Sequence, residues 1–169
     1  MKTAILITIF SAAMFAQAPG GPISASQKGV YTMLSGEVLA AADKMPEASY
    51  SFKPTPEVRT FGQLVGHIAD AQYFFCSTAS GDTAPASEVE KTKTSKADLV
   101  AALKEAVAYC NQRYAAMTDA KGTEMTKFEG FMLARNSVLA VNFAHLYEHY
   151  GNMVTYMRIR GVVPPSSEK

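Results

Sequence analysis

Apolar residues recur along this chain at steps of three and four, the spacing of one face of an α-helix. Four stretches carry the pattern clearly. In the first, Val30, Met33, Leu34, Val38, Ala41 and Met45 form the stripe, Ser24 or Ser26 offers a cap, and Pro46 stops the run. The second starts at Thr60-Phe61-Gly62-Gln63, a capping-box pattern in which the Thr hydroxyl takes an orphan N–H and Gln reaches back. Its stripe is Phe61, Leu64, Ile68, Ala71 and Phe75, and Gly81 ends it. The third opens on Ser95-Lys96-Ala97-Asp98, a serine cap with an acid in the first turn. It repeats through Leu99, Leu103, Ala106, Cys110, Tyr114 and Met117. The fourth runs from about Arg135 to Arg160, with Gly161 as its cap and Pro164-Pro165 forbidding continuation.

The connections read differently. Met45 to Arg59 contains Pro46, Pro54 and Pro56 and predicts an extended crossing over one end. Gly81 to Thr94 is polar, with Pro85 and the mixed charges of Glu88 to Lys93, and predicts a solvated loop. Thr118 to Ala134 holds Gly122 and Gly130 and reads as a long connection. No stretch alternates with the period of two that marks a half-buried strand. Long amphipathic helices without a sheet predict one all-α domain over residues 22–165, a four-helix bundle.

The first residues stand apart from that domain. Lys2 precedes a mainly apolar stretch, Ala4 to Ala16, too short for a comfortable membrane span. Ala16-Gln17-Ala18 has the small-x-small form of a cleavage site, although Pro19 leaves the exact cut open. Residues 1–18 therefore read as a secretory signal peptide, and the expected location is periplasmic or secreted. There is no second hydrophobic span, so no membrane span is expected after processing. The whole chain carries 16 basic and 15 acidic residues, so losing Lys2 leaves the rest balanced. With no basic run, nucleic acid and anionic membrane surfaces are not expected partners.

The chain has 3 histidines. His145 and His149 lie one turn apart on one face of the fourth helix, and His67 lies on a flank of the second. Neutral imidazoles converging between packed helices form a divalent transition-metal site that suits Zn, Ni, Fe or Co. The same residues could instead be core histidines. Asp70, one turn past His67, and Glu148, one turn past His145, are candidates to orient an imidazole or serve as general base. Asn152 follows on the face of His145 and His149 and is the candidate partner behind the ligands. Tyr31, Tyr73, Tyr147 and Tyr156 are candidates to line a pocket.

Cys76 and Cys110 complete the inventory, and an exported protein with two cysteines is expected to bridge them. Cα atoms joined by a disulfide lie within about 7 Å. If the second and third helices run parallel, both cysteines sit about 23 Å from their helix starts; an antiparallel hairpin would offset them by about 15 Å. The bridge thus favours an up-down-down-up bundle. The Gly81–Thr94 loop can span about 46 Å, enough to return along a helix. Nine residues separate His67 from Cys76, so on a helix the two point in opposite directions.

These residues also carry a resemblance. Thr60-Phe61-Gly62-Gln63-Leu64-Val65-Gly66-His67-Ile68-Ala69-Asp70-Ala71 resembles the second-helix motif of DinB-like (DinB/YfiT-type) proteins, a family read as metalloenzymes. His145-Leu146-Tyr147-Glu148-His149-Tyr150-Gly151-Asn152, Tyr156-Met157-Arg158 and Gly161-Val162-Val163-Pro164-Pro165 are similar to their closing signature. The resemblance spans essentially the whole mature chain. It implies an up-down-down-up bundle with a metal held by His67, His145 and His149. Many relatives carry Gln where this chain has the shorter Asn152. Some branches use low-molecular-weight thiols in the cytoplasm, a pool that an exported chain would rarely meet. Two classes of function follow: a metal-dependent hydrolase or transferase acting on an unidentified small molecule, or a non-catalytic metal-binding or structural module of the periplasm. A homodimer stays open.

Overall fold

The computed structural model describes residues 20–168, so the expected signal peptide lies outside the described residues. Helix α1 (Pro22–Lys44) starts earlier than its serines predict. Pro22 presets the first helical turn, and neither Ser24 nor Ser26 caps it. The cap comes from across the chain: the Asp119 carboxylate accepts from the backbone N–H of Ser24 at 2.8 Å and of Ile23 at 3.3 Å. The stripe of α1 is also narrower than its periodicity suggests. Leu34, Val38, Ala41 and Met45 are buried, but Val30 is 41 % and Met33 62 % exposed, because the packed face has rotated past them.

The crossing after α1 contains one 3-10 helical turn, Glu47–Ser49, followed by irregular turns. Helix α2 (Phe61–Ser80) begins with the expected capping box, Gln63 N–H donating to Thr60 Oγ1 at 3.1 Å and Thr60 N–H to Gln63 Oε1 at 2.9 Å. Gly81 ends it in the left-handed region, φ 82°, where a side chain would be strained. One helical turn, α3 (Val89–Thr92), interrupts the loop that follows. Helix α4 (Lys96–Ala116) opens with Ser95 Oγ accepting from Asp98 N–H at 3.1 Å. The connection read as irregular is built: a turn α5 (Asp119–Gly122), then an antiparallel hairpin of β1 (Met125–Phe128) and β2 (Phe131–Ala134). Strands of this length are too short for alternation to register in the sequence. Helix α6 (Arg135–Ile159) completes the bundle, Gly161 follows with φ 73°, and a 3-10 turn, Pro165–Ser167, comes after it.

Residues along α2 and α4 meet in rising order on both. Gly62 backs onto Leu99 near the two starts, and Cys76 pairs with Cys110 further on, their Cα atoms 5.4 Å apart. Helices α2 and α4 are therefore parallel. Along α6 the order is reversed: His145 lies beside His67, and Asn142 beside Gln72. The Tyr31 ring stacks on Tyr114 at 4.1 Å, and Tyr50 and Phe61 lie against the end of α1, so α1 opposes α2 and α4. The result is the up-down-down-up bundle. Its core holds Leu34, Ile68, Leu103, Leu139, Leu146 and Met153, all essentially inaccessible to solvent. Gln72 and Asn142, both fully buried, exchange side-chain hydrogen bonds of 3.1 and 3.2 Å, and Tyr31 donates to Gln72 at 3.0 Å. A buried amide pair of this kind satisfies itself only in one register, so it fixes α2 against α6. No described helix is long and apolar enough to cross a membrane.

Candidate metal centre

His67 stands near the middle of α2, and its ring meets His145 and His149 of α6. His145 Nε2 lies 3.2 Å from His67 Nε2 and 2.9 Å from His149 Nε2. Two nitrogens each about 2.0–2.1 Å from one ion, at roughly 90–110° to each other, are about 2.9–3.4 Å apart. Both spacings are those of ligand pairs around a single ion, and all three ligand atoms lie within 4.8 Å of one another. It is a poor arrangement for imidazoles alone, since one N–H on His145 Nε2 can point to only one of its two neighbours. Three such groups can hold a metal ion.

Electrostatics favour the neutral, ligating form. Desolvation pushes His145 down to about 4, helped by the neighbouring His149 and His67. Desolvation does the same to His149, to about 4, with His67 and Arg59 adding to it. His67 is lowered as well, first by burial and then by Arg59, against the pull of Glu90.

Two of the three ring nitrogens facing away from the centre have partners that the sequence only half revealed. Glu90, in the stretch read as a solvated loop, places Oε2 3.2 Å from His67 Nδ1, while its Oε1 takes Arg59 Nε at 2.8 Å. Gly66 allows this: a Cβ there would lie 2.7 Å from Glu90 Cα, so any side chain would push α3 away. Asp70 does not reach the histidines. Its carboxylate accepts from the backbone N–H of Val89 at 2.9 Å and Glu90 at 3.0 Å and from the Ser87 hydroxyl, which pins α3. It holds Glu90 in place by these bonds, and its charge opposes the lowering of the His67 pKa. The Asn152 amide lies 3.4 Å from His149 Nδ1, where its oxygen, once the amide is turned, accepts the Nδ1–H that a ligating Nε2 requires. His145 Nδ1 is buried without a partner among the described residues.

The centre opens onto a polar cleft of about 640 Å³, walled by Arg59, Glu90, Glu148, His149, Asn152 and Tyr156. Glu148 is exposed on that wall and touches no imidazole nitrogen. Of the four candidate tyrosines only Tyr156 lines the cleft, donating to Arg59 O at 2.9 Å. Tyr31 is buried on Tyr114, Tyr73 packs on Tyr109, and Tyr147 is 63 % exposed on the outside. Two signals could have revealed the missed groups. Arg59 precedes a helix N-terminus, where a positive charge is unfavourable. Gly66 sits mid-helix beside a histidine, where glycine costs stability unless another backbone comes close.

Fold and donor set together define a helical-bundle protein with a three-histidine candidate metal centre. The chain belongs to the DinB superfamily, whose sequence pattern matches residues 33–153. Among solved structures it is similar to a DinB-like protein from Bacillus cereus, with TM-score 0.75 and 19 % identity over 83 % of this chain and 95 % of that one. A DinB-like protein from Bacillus subtilis gives TM-score 0.66 and 17 % identity over 80 % and 92 %. A mycothiol-dependent maleylpyruvate isomerase gives 0.62 and 13 % over 78 % of this chain and 60 % of that one. No curated protein matches the chain significantly.

Proposed function

We propose that His67, His145 and His149 hold one divalent transition-metal ion, of the Zn, Ni, Fe or Co group, and that the protein is a metal-dependent enzyme of hydrolase or transferase type. The observation that carries this is the convergence of the three Nε2 atoms at 2.9 and 3.2 Å beside an open cleft. When bound, such an ion supplies Lewis-acid polarisation of a substrate donor near neutral pH. The chain's own residues supply the rest. Glu90 and Asn152 orient two of the rings. Arg59, held by Glu90, presents a positive charge to the cleft. Glu148, which shares the cleft wall with Glu57, is a carboxylate placed to take a proton from a substrate seated there. Three protein ligands beside a cleft favour this reading over a non-catalytic metal-binding or structural module, in which a closed set of ligands is the rule. The apolar stretch before Ala16 supports export, and the pairing of Cys76 with Cys110 suits an oxidising compartment.

Protein purified without a histidine tag is expected to bind one equivalent of metal, and each single His→Ala variant should lose it. X-ray absorption should then find light ligands other than imidazole at the ion. If the triple Ala variant binds metal as well as wild type, the site is wrong. If the ion has only protein ligands, the enzyme reading falls and the module stands. Sequencing the N-terminus of protein recovered from a periplasmic fraction tests export.

A further inference from the structure

The three imidazoles stand between two clefts of opposite character. His149 lines the polar one, while His67 and His145 line a second, of about 490 Å³, bordered on one side by the tip of the hairpin. The wall of this second cleft is mainly aromatic, with Asp70 and Glu129 as the acidic residues on its border. Phe74, Phe75 and Phe128 pack with ring centroids 5.2 to 6.0 Å apart, and Phe75 lies 5.2 Å from the His145 ring. Phe74 is 41 % exposed, and Val141 continues the apolar lining. Thr126 donates to Thr78 O at 3.2 Å, which ties β1 to α2 and keeps Phe128 on the wall. The turn that closes the hairpin uses Glu129 at φ 43°, a conformation that costs a residue other than Gly, Asn or Asp. Glu129 itself borders the cleft.

We propose that this second cleft is a substrate pocket that takes an apolar, uncharged, ring-sized group of a small molecule whose donor atom is held at the histidines. The volume lies within the roughly 300–1,000 Å³ range of small-ligand pockets, while a helix, about 10–12 Å across, is too wide. Direct lining by His67 and His145 puts any occupant next to the metal ligands. The two acidic residues on its border, Asp70 and Glu129, disfavour an anionic group. The head-group half of the proposal rests on the metal reading above; the apolar half does not.

Calorimetry with zinc-loaded protein separates the two halves. Acetohydroxamate and benzohydroxamate share a metal-seeking head and differ in the ring. Benzohydroxamate is expected to bind about tenfold tighter or more, from burial of the ring. In Phe74→Ser and Phe128→Ser that advantage should vanish, with acetohydroxamate binding unchanged. Phe74 is partly exposed, so its variant should fold even if loss of Phe128 loosens the hairpin. Equal affinity of the two probes in wild type, or an advantage that survives both variants, overturns the pocket. Failure to retain zinc overturns the metal reading instead, and a probe without a head group still decides the pocket. Benzyl alcohol titrated into the metal-free protein should shift the NMR signals of Phe74, Phe75, Phe128 and Val141. Absence of those shifts at millimolar benzyl alcohol overturns it.

Discussion

At the residue scale, the candidate site depends on groups that touch its histidines from behind. Glu90 accepts from His67 Nδ1 and so directs the Nε2 lone pair inward. Removing such a partner typically weakens metal binding about 10–100-fold. Glu90→Gln is expected to fall in that range, measured by competition with a chromophoric chelator, while Glu88→Gln, on the outside of the same turn, should change nothing. The histidines also make stability depend on pH. In the metal-free fold His145 and His149 titrate at about 4, against 6.5 in the unfolded chain. Between those values the unfolded state binds more protons, so their contribution is intact above about 6.5 and is lost as pH falls toward 4. Urea midpoints of chelator-treated protein should decline over that window. A His145→Gln, His149→Gln double variant should show a flatter decline. Metal affinity should likewise hold to lower pH than for ordinary imidazole ligands, because burial lowers the pKa of all three histidines and keeps them neutral.

At the scale of elements, two glycines in helix interiors behave oppositely for a geometric reason. A Cβ on Gly66 meets the backbone of Glu90 and Val89, so Gly66→Ala must displace α3 and carry Glu90 off His67. It is expected to cost about 1–3 kcal/mol and to weaken metal binding as well. Gly29 in α1 has open space where its Cβ would be, so Gly29→Ala should instead add about 0.5–1 kcal/mol of stability through helix propensity. Denaturant unfolding of both variants checks the pair, and equal signs would refute the close-approach argument for Gly66. The start of α1 depends on α5: Asp119→Ala should lower the melting temperature and speed amide exchange at Ile23 and Ser24, whose N–H groups it holds.

For the whole molecule, the disulfide and the helix order are one fact. Cys76 and Cys110 are 34 residues apart, and closing that loop is worth about 3–4 kcal/mol in the chain-entropy account. Replacing both by Ala should lower the unfolding free energy by about that amount, and the metal centre should survive, since the sulfurs face away from the histidines. Much of the architecture was legible in local sequence. Thr60-Phe61-Gly62-Gln63 and Ser95-Lys96-Ala97-Asp98 start their helices as written, Gly81 and Gly161 end theirs, and the level placement of the cysteines predicted parallel α2 and α4. Caps and periodic stripes are decided within a few residues of chain, so one sequence suffices to read them. The histidine face was legible too, since helical spacing alone aligns His145 with His149. Only the tertiary structure decided that Asp119 caps α1, that Asp70 serves α3 rather than the histidines, that Glu90 reaches His67, and that the hairpin puts Phe128 beside His145. Those contacts join segments between about twenty and a hundred residues apart. They follow from how the helices pack, which local sequence signals at most by a hint such as the mid-helix Gly66 and never by naming the partner.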